Sequence, residues 1–173
     1  FGLSGASLAS KSHQITGGKK FKERWSLWGH ISMIFLGFSG GTLMSGRVAV
    51  VTGGTRGIGE AISIRLRDAG YRVAAGYGGD AGKAKTFTEA TGIPAWKWDV
   101  GDFNACGAAI REIEEAIGKV DILVNNAGIT RDAMLHKMGH EQWIEVIRTN
   151  LSSCFNMCNS VFDWMRERNF GRI

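Results

Sequence analysis

The sequence predicts an α/β chain folded on a doubly wound parallel sheet, and three observations predict it. Short apolar runs alternate with helical patterns from residue 47 onward, and the connections between them are brief. The runs Val48–Val51 and Ile122–Val124 are apolar throughout, as strands covered on both faces should be. Parallel strands joined through helices cross over with a right hand, which gives the strand order 3-2-1-4. That order reverses between strands 1 and 4, the crevice where ligands sit in such sheets.

The 173 residues suffice for one domain with a core and not for two large ones. Residues 1–43 read differently from the rest. They begin with Phe, show no apolar period, and mix Ser, Gly, Lys and Trp without pattern. The stretch Ile31–Phe38 holds eight largely apolar residues, too few to span a bilayer. A transit peptide is the functional alternative, since the segment is basic and nearly free of acids. Met44-Ser45-Gly46-Arg47-Val48 reads as a natural start, so 1–43 is expected to be an upstream leader, disordered or not native, and 44–173 the domain.

From Arg47 the elements follow in order. Val48–Val51 is the first strand, and 57–69 a helix with Ile58, Ala61, Ile62 and Leu66 on its inner face and Gly70 as its C-cap. Strand 2 runs over 72–77 into the loop Gly78-Gly79-Asp80, and a second helix over 83–91 closes at Gly92. Strand 3 covers 94–98, and the third helix 104–117 turns Ala105, Ala109, Ile110, Ile113 and Ile117 inward. Strand 4 covers 121–124. One long helix is expected from Glu141 to about Arg168, bent near Asn150, where mid-helix propensity is poor. Its stripe of Trp143, Val146, Ile147, Leu151, Phe155, Cys158, Phe162 and Met165 is read as core-facing, part of it also meeting another subunit. Gly171-Arg172-Ile173 begins a fifth strand.

The net charge of +5 does not point to nucleic acid. Residues 1–43 carry +4 of it, leaving sixteen positive against fifteen negative charges from Met44 on. Three cysteines, Cys106, Cys154 and Cys158, imply no disulfide framework and fit a reducing cytoplasm. Cys154 and Cys158 stand one helical turn apart, but no His or further Cys lies at ligand spacing, so packing is expected and a metal is not. His13, His30, His136 and His140 form no catalytic pairing and are expected to face solvent.

The chemistry is expected in the turns. Val48-Ala49-Val50-Val51-Thr52-Gly53-Gly54-Thr55-Arg56-Gly57-Ile58-Gly59 runs from strand to glycine cluster to helix, the order that brings a diphosphate to a helix N-terminus. The glycine spacing is Gly-x3-Gly-x-Gly. A second turn, Asn125-Asn126-Ala127-Gly128, follows strand 4 and opens onto the same crevice. Dinucleotide enzymes that use NAD usually place a carboxylate at the end of strand 2. Tyr77-Gly78-Gly79 stands there instead, with Asp80 late and Arg56 and Lys83 nearby, which argues for NADP(H).

These two turns together, with Asp99-Val100 between them, resemble the short-chain dehydrogenase/reductase family across 44–173, a Rossmann-like fold. Within it, Ile129-Thr130-Arg131-Asp132, the Gly92–Val100 stretch, Asn150–Met157 and Met165–Ile173 are most similar to bacterial acetoacetyl-CoA reductases of polyhydroxybutyrate synthesis. The 3-oxoacyl-[acyl-carrier-protein] reductases are the near alternative. The resemblance implies cofactor contacts from Gly53, Thr55, Arg56, Gly57, Ile58, Gly59 and Lys83, and from Asp99, Val100, Asn126, Ala127, Gly128, Ile129 and Thr130. In it Arg56 meets the 2′-phosphate, Asp99 accepts from the adenine amino group, and Asn125 braces the sheet. Asp132 is expected in the substrate pocket, and Asn150 as a catalytic residue that helps hold a water of the proton relay.

The family's catalytic Ser and its Tyr-x3-Lys pair are not in this sequence: neither Tyr71 nor Tyr77 is followed four residues on by lysine. The chain is therefore expected to be a truncated N-terminal part of a cytoplasmic, homotetrameric enzyme, inactive alone and prone to aggregate. The substrate implied is acetoacetyl-CoA or a related 3-oxoacyl thioester, with no nucleic acid and no membrane as partners. A non-catalytic NADP-binding module is the alternative of another class.

Overall fold

The computed structural model describes residues 46–173; the leader 1–43, its Ile31–Phe38 run, His13, His30 and the Met44-Ser45 start lie outside the described residues. The elements are β1 (Val48–Val51), α1 (Gly57–Asp68), β2 (Arg72–Tyr77), α2 (Ala81–Thr91), β3 (Ala95–Lys97), α3 (Phe103–Ile117) and β4 (Val120–Val124). After them come a 3₁₀ turn (Leu135–Lys137), α4 (His140–Ile147), a π-helical turn (Arg148–Ser152) and α5 (Ser153–Glu167).

The sheet is parallel in the order β3-β2-β1-β4, as the alternation of elements predicts. Val51 pairs with both Ala75 and Val124, so the C-terminal ends of the central strands come level and release their loops at one edge. Arg172 bridges Ile122 in parallel, which lays the beginning of a fifth strand beside β4. Alternate residues serve opposite faces. Val48, Val50, Ala74 and Leu123 pack with Ile110, Ile113, Met157 and Val161 of α3 and α5. Val51, Val73 and Ala75 pack with Phe87 and Ile93, against Ile62 and Leu66 of α1. Helices cover both faces, which is the doubly wound arrangement.

Where β1 and β4 slip register between Val48 and Ala49, a carboxylate replaces the missing ladder partner. Asp121 Oδ2 accepts from Val48 N at 2.9 Å, and Arg168 donates to Asp121 Oδ1 at 2.9 Å and to Val120 O at 2.7 Å. A buried acid held this way is satisfied on both oxygens, so its desolvation is offset.

Several expectations need correction. On α1 the fully buried positions are Gly59 and Ser63, with Ile62 and Leu66 packing beside them as expected, whereas Ile58 is 77% exposed and Ala61 is exposed too. Ser63 Oγ donates to Gly54 O at 3.1 Å, so a small polar side chain lets the helix lie close to the glycine turn. The C-cap of α1 is Ala69; Gly70 follows it at φ +89°, with Gly70 N bonded to Arg67 O and Tyr71 N to Leu66 O. That is a Schellman closure, in which glycine takes the left-handed position just beyond the cap. The final helix runs on from α4 through the π turn that contains Asn150 into α5, so the irregularity expected near Asn150 is there, but of the predicted stripe Met165 alone is fully buried. Ser153, Asn156, Met157, Val161 and Met165 point inward, while Trp143, Leu151, Phe155 and Phe162 are 54–65% exposed. The extra residue of the π turn rotates α5 relative to α4, so a single helical period across both picks the wrong face.

Candidate functional site

The C-terminal ends of β1, β2, β3 and β4 open into one cleft of about 680 Å³. Its floor is the glycine turn. Gly53 and Gly57 sit at φ +63° and +55°, the left-handed region that other residues enter only with strain. A Cβ at Gly59 would run into the Gly53 carbonyl and stand 2.5 Å from Asn126 Nδ2, whereas one at Gly57 would meet nothing within 4 Å. Gly59 thus seats helix on turn, and Gly57 leaves open space over the turn. Arg56, the N-cap of α1, is extended at φ −157° and supplies no side-chain cap, so the first-turn N–H groups are directed at the cleft rather than closed by a side chain.

The β1 and β4 turns are joined by hydrogen bonds. Thr52 Oγ1 donates to Val124 O at 3.2 Å and accepts from Asn126 N at 2.9 Å and Ala127 N at 3.0 Å. Asn126 Nδ2 donates back to Thr52 O at 2.9 Å and to Gly53 O at 3.3 Å. Asn126 is therefore the brace between the turns as well as a cleft residue. Asn125, for which bracing was expected, contacts Cys158 Sγ at 3.5 Å.

Of the residues expected at a cofactor, Gly53, Thr55, Arg56, Gly57, Ile58, Gly59, Lys83, Asp99, Val100, Asn126, Ala127, Gly128 and Ile129 all line this cleft. The exposure of Ile58 has its explanation here, since it faces the cleft and not the core. Thr130 and Asn150 line an adjoining hollow of about 510 Å³ together with Arg56, Gly128, Ile129 and Arg131. Asp132 is exposed and borders neither space; His136 and His140 are exposed as well.

Around the rim, Tyr77, Gly78 and Gly79 occupy the end of β2. Asp80, which follows them, is committed elsewhere: its Oδ1 accepts from Lys83 N at 3.1 Å to cap α2, and Oδ2 stands 3.9 Å from Lys83 Nζ. Asp99 is not a helix cap, a role that falls to Asp102. It accepts from Gly101 N at 2.8 Å and pairs with Arg148 at 2.6 Å. Beneath it, burial and the carboxylates of Asp102 and Asp99 push the Cys106 thiol up to about 11.

Sequence reasoning missed Thr52, Ser63, Trp98, Arg148 and Thr149. Thr52 carries a local signal, a hydroxyl at the last position before a glycine turn. Trp98, Arg148 and Thr149 carry none, because their partners are distant in sequence. Among the described residues no cluster of three or more His, Cys, Asp or Glu could hold a metal, and no helix is long and apolar enough to cross a membrane.

Residues 47–173 match the model of the short chain dehydrogenase family. An acetoacetyl-CoA reductase of Paracoccus denitrificans is 58% identical over 127 residues, which is 73% of this chain and 52% of that protein. The Rhizobium meliloti acetoacetyl-CoA reductase is also 58% identical, over 73% of this chain and 53% of its own length. A 3-oxoacyl-[acyl-carrier-protein] reductase of Staphylococcus aureus is 39% identical over 72% of this chain and 53% of its own. The chain spans about half the length of the curated relatives it matches.

Proposed function

The chain belongs to the short chain dehydrogenase family, and on that premise we propose that 44–173 is the cofactor-binding, N-terminal part of an NADPH-dependent acetoacetyl-CoA reductase. The observation that carries the proposal is the convergence of the β1 and β4 turns on one cleft whose β2 end offers no unengaged carboxylate.

The residues present fit a dinucleotide phosphate. The uncapped start of α1 and the open space at Gly57 suit a diphosphate, which the partial positive charge of a helix N-terminus favours. Arg56 and Lys83 stand where a 2′-phosphate would need cations, and the nearby Asp80 is turned to the α2 cap. Asp99 retains a lone pair on each oxygen beyond its two bonds, enough to accept from an adenine amino group. A nicotinamide cofactor held there would supply a hydride for the C3 ketone of the thioester. Asn126, Ala127, Gly128, Ile129 and Thr130 lead from the adenosine side toward the hollow where the ketone would lie.

Asn150 belongs at that hollow. Its carboxamide is engaged on Ile129 and its main-chain carbonyl accepts from the Cys154 thiol at 3.4 Å, so its part in the relay is to fix the π turn beside the hollow where a relay water would sit. Proton donation itself belongs to a Ser-Tyr-Lys set downstream of Ile173, with Asp132 as a substrate contact from the exposed loop. The exposed apolar residues of α4 and α5 suit a subunit contact, and the whole enzyme is proposed as a cytoplasmic homotetramer.

Assay of the full-length protein with acetoacetyl-CoA and with the acyl-carrier-protein thioester, under NADPH and NADH, tests this reading. Turnover highest with acetoacetyl-CoA and NADPH supports it. Preference for the acyl-carrier-protein substrate moves the protein to fatty acid synthesis. Cofactor binding without turnover of either thioester makes it a binding module.

A further inference from the structure

Opposite walls of the cleft are held by one short segment of chain. Arg148, which opens the π turn, donates from Nη2 to Asp99 Oδ2 at 2.6 Å, while Asp99 Oδ1 accepts from Gly101 N at 2.8 Å. The side chain of Arg148 lies against Gly101 so closely that a Cβ there would stand 2.9 Å from its Cγ and Cζ. Asn156, buried on α5, donates to Val100 O at 3.0 Å. Between these two, Asn150 grips Ile129 through both backbone groups at 2.9 Å. The loop 99–101 and the loop at 129 are thereby tied together through residues 148–156. Arg148 itself does not line the cleft, although its neighbour Thr149 does.

We infer that Arg148 is a positioning residue, which fixes the Asp99 carboxylate for an amino-bearing purine in the cleft and couples that wall to the turn carrying Asn150. The inference rests on the dinucleotide reading above. A half-exposed aspartate left to rotate must be ordered when a ligand binds; one pinned by a guanidinium and a backbone N–H has that cost removed beforehand. The remaining lone pairs, one on each oxygen, are then directed by the two bonds already made. A Cβ at Gly101 would crowd the arginine stem and push it off its present line to Asp99.

The test is calorimetric titration of the natural full-length protein with 2′,5′-ADP, which carries the purine half and no nicotinamide. Arg148→Met is expected to weaken binding about three- to fivefold, the range of a partly exposed ion pair, and Arg148→Lys to restore part of it. In an Asp99→Ala background, Arg148→Met should cost nothing further, because the effect passes through that side chain. Unchanged affinity of Arg148→Met, or an equal loss in both backgrounds, overturns the inference and leaves the dinucleotide reading standing. Wild-type protein that does not bind 2′,5′-ADP overturns both.

Discussion

Asn150 holds Ile129 by both ends of its backbone: Oδ1 accepts from Ile129 N and Nδ2 donates to Ile129 O, each at 2.9 Å. The π turn that contains Asn150 is where this reciprocal pair anchors. A residue of poor helix propensity is thus kept in mid-helix by a tertiary contact 21 positions away. Replacing it with alanine leaves one donor and one acceptor of Ile129 to water, a stability cost of about 1 kcal/mol. In the full-length enzyme, Asn150→Ala should lower kcat at least about tenfold, since a displaced relay loses general-acid efficiency. Steady-state kinetics with saturating cofactor gives the answer, and unchanged kcat would remove the Asn150 side chain from the mechanism.

Cofactor choice should follow Arg56. It stands at the N-cap of α1, borders both the cleft and the adjoining hollow, and makes no capping bond. Arg56→Glu is expected to shift the ratio of NADPH to NADH dissociation constants toward NADH by about tenfold or more, the scale of replacing a charge-assisted bond with a like-charge contact. Fluorescence titration with both cofactors measures it. A ratio that does not move contradicts the assignment.

The two glycines of the α1 turn should fail differently. Gly59→Ala forces a methyl group against the Gly53 carbonyl and Asn126, and overpacking of that kind costs about 1–3 kcal/mol. Gly57→Ala has space for its methyl group but must hold φ +55°, at about 1 kcal/mol. Thermal melting should therefore rank Gly59→Ala as the less stable. Cofactor titration should still find Gly57→Ala impaired, because its methyl group fills the open approach.

The cysteines should separate by reactivity. Cys106 is fully buried with its thiol raised from 9.0 to about 11, so it stays protonated and inert in the native protein. Cys154 and Cys158, both partly exposed, should react with a thiol reagent at pH 8 while Cys106 reacts only on unfolding. The raised value also sets a sign. The unfolded chain loses this proton from about pH 9.0 and the folded chain only near 11, so stability should fall as pH rises through that window. The limiting slope is about 1.4 kcal/mol per pH unit. Denaturant melts at pH 8, 9 and 10 on wild type and Cys106→Ser isolate the contribution.

Leu151 and Phe155, 64% and 65% exposed, lie one turn apart on the outer face of the last helical segment, and Phe155 stacks on Phe103. If that face is a subunit contact, Leu151→Glu with Phe155→Glu should reduce the full-length protein from the proposed tetramer to smaller species in light scattering. A tetramer that survives both charges places the interface elsewhere.

Most of the fold was legible because its signals are local. Valine-rich runs, glycine stops and alternating elements suffice to give a parallel sheet and its switch point, since each follows from the few residues around it. The same holds for the glycine turn and for Asn125–Gly128. The family they belong to was readable from residue types and from the resemblance those types carry. The helix faces were less legible. Ile58 looks like a core residue by period, and only packing shows that Gly59 and Ser63 are the fully buried positions while Ile58 borders the cleft.

What the sequence determined by itself, then, is the order of elements, the strand order and the two turns that meet. Hydrophobic period and turn chemistry act over a few residues, and right-handed crossover leaves little else to choose. Tertiary structure decided the direction of the final helix face, the tie from Arg148 to Asp99, and the roles of Thr52 and Asn126 as the bolt between turns. Each of these joins residues 49 to 74 positions apart, or depends on one extra residue in a π turn that rotates everything after it. A sequence pattern records a side chain's kind and its neighbours along the chain; which carbonyl, carboxylate or glycine it meets is set only when the strands align.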